Sequence, residues 1–155
     1  MTATMNNDKK HWLAGGSRTL LLGAVGYAAG MTIHGVDHAA RGLAGDDTYA
    51  SWPAGLQVFM GMLTLAFSVL AVCSAAKQVR HAALIGIVVG FGSGATFLVV
   101  HMLPPWAAFT DSFVNAHPDA HVSTYSWVTA TIGISLSFVY GLTGLAAQFP
   151  RTRKR

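Results

Sequence analysis

The sequence contains no glutamate, and six aspartates supply all of its side-chain negative charge. Charged residues make up 10 % of the chain, against about 25 % in an ordinary soluble domain. Apolar residues make up 52 %. A water-soluble fold of this composition has too little charge to cover its surface. Cysteine is nearly absent as well. Cys73 stands alone inside an apolar run, which excludes an intrachain disulfide and any cysteine-built zinc site. No phosphate loop, dinucleotide fingerprint or Gly-x-Ser-x-Gly elbow occurs. A metal site in this chain has to be built from His, Asp or Met.

What is present is a set of four apolar runs, at about 19–36, 53–76, 82–103 and 127–147. Each is close to the roughly 20 residues needed to cross a bilayer. Backbone groups in hydrocarbon must satisfy one another, so each run is expected to be helical. Pro53 suits a helix start, and Pro104-Pro105 cannot continue the third helix. The first run, preceded by Lys9, Lys10 and Arg18, shares features with a signal peptide. It is long for one, and no small-x-small cleavage site follows, so it reads as a membrane helix. The predicted fold is an all-α, polytopic membrane protein: a four-transmembrane-helix bundle with helices at about 19–40, 53–76, 82–103 and 127–147. An N-terminal segment, 1–18, precedes the helical domain of 19–147, and a basic tail, 148–155, follows it.

Orientation is read from the basic residues. Nine of the ten Lys and Arg lie before the first helix, between the second and third, or after the fourth. Arg41 is the exception. This bias predicts cytoplasmic N and C termini. Five of the six Asp then fall on the non-cytoplasmic side, with Trp52, Trp106 and Trp127 at that interface and Trp12 at the other. The clusters mark topology, so no nucleic-acid partner is expected. The expected setting is a bacterial plasma membrane, with the lipid bilayer as partner and a homo-oligomer or a larger membrane complex as further options.

Small residues mark where membrane helices approach. Gly86, Gly90 and Gly94 form such a stripe on the third helix. Gly26 and Gly30 lead to His34 and His38 on the first; Thr129, Gly133, Ser137 and Gly141 line the fourth; Gln57, Gly61, Thr64 and Ser68 line the second. All read as packing faces.

Five of the seven histidines fall on the predicted non-cytoplasmic side. His34, Asp37, His38 and Arg41 stand at i, i+3, i+4 and i+7, on one helix face. His34 and His38 are one turn apart, close enough to share an ion. Asp37 can ligate, orient a ring or pair with Arg41. His101 lies seven residues beyond Gly94, on the packing face of the third helix, and so points into the bundle. An ionisable group there is a functional candidate. The long loop of 104–126 carries His117-Pro-Asp-Ala-His121, which repeats the His-x-x-x-His spacing with an internal Asp. The candidate metal ligands are therefore His34, Asp37, His38, His101, His117 and His121. Their chemistry favours zinc, with iron or copper as options and Met31, Met60 and Met102 near the same level for copper. Haem held by His34 or His38 with His101 is a lesser option.

The function expected is metal binding or metal-assisted chemistry at the non-cytoplasmic face. The alternatives are an accessory or assembly subunit of a larger membrane complex, and a b-type haem protein. The ordinary reading of such histidines is a hydrogen-bond network that ties loops to the bundle. Whether the chain is an enzyme stays open: Asp37, Asp111 or Asp119 can serve as a base, and Ser123, Tyr125 and Ser126 as oxyanion donors, but no triad forms in sequence.

Overall fold

The structure, a computed structural model, describes residues 4–44, 54–105, 111–116 and 121–149. Among the described residues it is all-helical. Helix α1 spans Thr4–Ala44, α2 Ala54–Ala76, α3 Ala82–Phe97 and α4 Thr124–Gln148. The end of α3 continues as a π-helical turn, Leu98–Met102. Among the described residues, four stretches are long and apolar enough to cross a membrane: Arg18–Ala44, Val58–Ala76, Ala82–Met102 and Thr124–Gln148.

Helix ends follow local chemistry. The π turn stops before Pro104-Pro105, and Leu103 is extended (φ −97°, ψ 154°) as a residue before proline must be. Helix α4 starts earlier than its apolar run because Ser123 and Ser126 form a reciprocal cap. The Ser123 hydroxyl accepts from the Ser126 amide, and the Ser126 hydroxyl accepts from the Ser123 amide. Two backbone donors that the helix leaves unpaired are thereby satisfied. Helix α1 extends beyond its apolar run in both directions, and at the far end this carries Arg41 on the same helix as His34 and His38.

The helices form a ring in which α3 and α4 meet most closely, α1 packs on α4, and α2 is held mainly by α1. At the tight seam the small-residue stripes of α3 and α4 meet. A Cβ at Gly90 would lie 2.7 Å from both the Gly141 Cα and the Ser137 carbonyl oxygen, so only glycine allows this backbone approach. Below the site, Tyr27 stacks on Tyr140 with ring centroids 5.5 Å apart and shares a 3.0 Å hydrogen bond with Ser93. Ala24, Ala71 and Val89 pack around this pair.

The seam between α2 and α3 is looser. Gly61 of α2 and Gly35 of α1 have open space where a Cβ would stand. The small-residue face of α2 was expected to pack closely; at Gly61 it borders a cavity of about 700 Å³ instead. Small residues permit close approach but do not enforce it.

Candidate metal centre

One end of the bundle gathers the C-terminal part of α1, the π turn after α3, the segment 111–116 and the start of α4. His34 and His38 project from successive turns of α1. His101 arrives from the π turn, where the backbone ladder opens from i→i+4 to i→i+5. Such single π turns are frequent at functional sites.

The three rings converge through Nε2. His38 Nε2 lies 2.9 Å from His34 Nε2, which lies 3.2 Å from His101 Nε2. One ligand nitrogen from each ring fits in a group within 4.8 Å of one another. With metal–nitrogen bonds of 2.0–2.1 Å, two ligands stand about 2.9 Å apart at a right angle and about 3.4 Å apart at the tetrahedral angle. The two spacings at His34 Nε2 fall in that interval. His34 and His101 are buried, at 2 % and 4 % exposure, and His38 is partly buried.

Neighbouring groups set the tautomers. His101 Nδ1 lies 2.8 Å from the Asp111 carbonyl oxygen. The carbonyl can only accept, so Nδ1 carries the proton and a neutral His101 presents a bare Nε2 lone pair to the cluster. His38 Nδ1 lies 3.1 Å from an Arg41 amine, which can only donate. His38 Nε2 is then the protonated nitrogen and donates to His34 Nε2. His34 Nε2 accepts that bond, so the bare His101 Nε2 lies 3.2 Å from it with no proton between the two, a contact that hydrogen bonds within the trio do not satisfy. A cation taking all three Nε2 lone pairs would relieve it, provided the His38 proton shifts to Nδ1 and that nitrogen turns from the Arg41 amine to Asp111 Oδ2, 3.7 Å away. His34 Nδ1 is buried without a hydrogen-bond partner among the described residues.

On the other side of the rings from Tyr27 lies a buried ionic network. Arg41 grips Asp111 with two parallel hydrogen bonds, Nη1 to Oδ1 at 3.1 Å and Nη2 to Oδ2. Its Nε stands 3.3 Å from Asp37 Oδ2. The Ser126 hydroxyl donates to Asp37 Oδ1 at 2.8 Å, which joins α4 to α1. Arg41 also lies over the Phe113 ring, 5.2 Å from its centre. Asp37, Arg41 and Asp111 are each at most 3 % exposed. Among the described residues, one guanidinium faces two carboxylates. Asp111 also stands beside the imidazoles, with Oδ2 3.5 Å from His101 Nδ1 and 3.7 Å from His38 Nδ1. A carboxylate this close favours a cation at the neighbouring rings.

The segment 111–113 is fixed by backbone bonds. The Phe113 amide donates to the His101 carbonyl at 2.8 Å, and the Ser112 hydroxyl donates to the carbonyl of Leu103. These bonds satisfy carbonyls that the helix end leaves free. Phe113 and Phe97 flank the rings, with centroids 4.9 Å from His101 and 5.0 Å from His34.

Of the residues singled out in sequence, His34, His38 and His101 come together. Asp37 is buried nearby but faces Arg41 and Ser126. His121 is exposed, just before the α4 cap, with a positive φ of 50°. His117, Pro118 and Asp119 lie outside the described residues. Sequence reasoning paired Arg41 with Asp37 and missed Asp111 as its second partner; the two are 70 residues apart and no periodicity links them. Ser126, considered as an oxyanion donor, is instead a helix cap and a partner of Asp37.

No family model, curated protein or solved structure matches the chain.

Proposed function

We propose that this chain is an integral membrane protein that holds one metal ion on the Nε2 atoms of His34, His38 and His101, for binding or metal-assisted chemistry. The observation that carries the reading is that His34 Nε2 stands at metal-ligand spacing from both His38 Nε2 and His101 Nε2, with the His101 Nδ1 proton committed to the Asp111 carbonyl. Zinc is the favoured ion. Three neutral imidazoles with a further position for water or ligand form a common zinc arrangement. Copper and iron accept the same donors. When bound, such an ion polarises a coordinated water or ligand. The residues of the chain do the rest: Asp111 orients His101, Arg41 fixes Asp111, and Phe97 and Phe113 limit ring movement.

The positive-inside bias supports a site at the non-cytoplasmic face. A green fluorescent protein fused after Arg155 should then fluoresce, and an alkaline phosphatase fused there should stay inactive. The opposite pair of results reverses the orientation.

Haem is less well supported. Two axial imidazoles must stand on opposite sides of a porphyrin, whereas His34 and His101 face each other across 3.2 Å with His38 beside His34. The accessory-subunit reading draws on α2, whose span is the least buried of the four. A stable partner in native purification would favour it.

The test of the metal reading is elemental analysis of detergent-purified protein after loading with zinc, copper or iron in turn. About one ion per chain is expected, with loss in His34→Ala and His101→Ala. No stoichiometric ion under any loading, or full loading in both variants, overturns it.

A further inference from the structure

The three imidazoles are not sealed off. His34, His38, His101 and Asp111 form part of the wall of the cavity of about 700 Å³ between α1, α2 and α3. That volume lies within the range of small-molecule sites, roughly 300–1,000 Å³. Most of the remaining wall is apolar, with Leu56, Met60, Leu65, Phe97 and Val100 among its residues. Of the four hydroxyls in the wall, Thr96 is the one without an intrahelical bond among the described residues, and the other three are engaged. Thr32, Thr64 and Ser68 each donate to a carbonyl of their own helix, at 2.9 Å in every case. Among the described residues no Lys or Arg lines the space, so a phosphate headgroup, a sugar or a nucleotide finds neither a charge partner nor a row of free donors there. The polar recognition elements among the described residues are the imidazoles, Asp111 and the Thr96 hydroxyl.

We infer that this cavity binds an amphipathic, membrane-partitioned molecule, with its apolar body between α1, α2 and α3 and a metal-directed oxygen head at His34, His38 and His101. The inference rests on the metal reading and names the class of ligand that site would take. The loose seam between α2 and α3 supplies the space. Both helices are apolar enough to lie in a bilayer, so the occupant can arrive from the lipid without crossing water. Gly35 and Gly61 help define the space. Both line it, and neither has an atom within 4 Å of where a Cβ would stand.

That openness provides a test that leaves the histidines in place. Gly61→Phe puts a ring into the cavity from α2. Gly35→Leu narrows it from α1 and serves if the first variant does not fold. The protein is reconstituted in nanodiscs and loaded with cobalt(II), whose visible spectrum changes when a head group coordinates. Two probes share one head: decanohydroxamic acid, with a long apolar body, and acetohydroxamic acid, with almost none. Expected is a loss of about tenfold or more in affinity for the long probe in Gly61→Phe, with metal content and affinity for the short probe unchanged. Metal bound normally, but with both probes weakened equally or neither weakened, overturns the cavity inference and leaves the metal reading standing. Spectral silence of both probes on fully loaded wild-type protein does the same. Failure to bind any metal overturns the metal reading and this inference with it. Long-probe binding that persists without metal would make the cavity a place for bilayer acyl chains, which also contradicts the inference.

Discussion

The two sides of the bundle use the same residue to opposite ends. Where α3 meets α4, glycine brings backbones together, and a Cβ at Gly90 would strike the Gly141 and Ser137 backbone of the facing helix. On the side bounded by α1 and α2, Gly35 and Gly61 border open space. One side is closely packed; the other holds a cavity that reaches the histidines. Glycine spacing alone does not distinguish them. The difference lies in whether the neighbouring helix follows the stripe along its length, as α4 follows α3, or is held elsewhere, as α2 is held mainly by α1.

The ionic network at the end of the bundle should show the largest effect. Arg41→Ala leaves Asp37 and Asp111 as buried carboxylates without their guanidinium. Removing one partner of a buried ion pair costs about 3–5 kcal/mol. Thermal unfolding in detergent should show that loss, together with loss of metal retention, since Asp111 also orients His101. A change under about 1 kcal/mol would mean the network behaves as an exposed one.

The glycine comparison comes next. Gly90→Ala overpacks a backbone contact, and overpacking costs about 1–3 kcal/mol. Gly61→Ala meets no atom within 4 Å and trades a poor helix former for a good one, so its effect should stay within about 1 kcal/mol and favour the fold. The pair is checked by parallel unfolding curves. Equal effects at the two positions would erase the distinction between closed and open sides.

Much of this was legible in the residues. Run length and the scarcity of charge predict four helices, and Gly86, Gly90 and Gly94 predict the α3 face that α4 covers. The i, i+4 spacing of His34 and His38 and the shared face of Gly94 and His101 predict rings turned to one another. Three things were not legible. The π turn that carries His101 has no marker in the sequence. Asp111 reaches Arg41 through the folding of a loop against a helix end, a contact fixed by backbone bonds at Phe113 and Ser112. The cavity beside Gly61 depends on where α2 sits, and spacing within α2 says nothing of that.

The central claim is that three imidazoles, one from the π turn and two from α1, form a metal site. X-ray absorption at the metal edge of zinc-loaded protein tests it most directly. The account predicts a first shell with three imidazole nitrogens at about 2.0–2.1 Å, reduced in His101→Ala. A shell of oxygens alone, or one unchanged by His101→Ala, would contradict it.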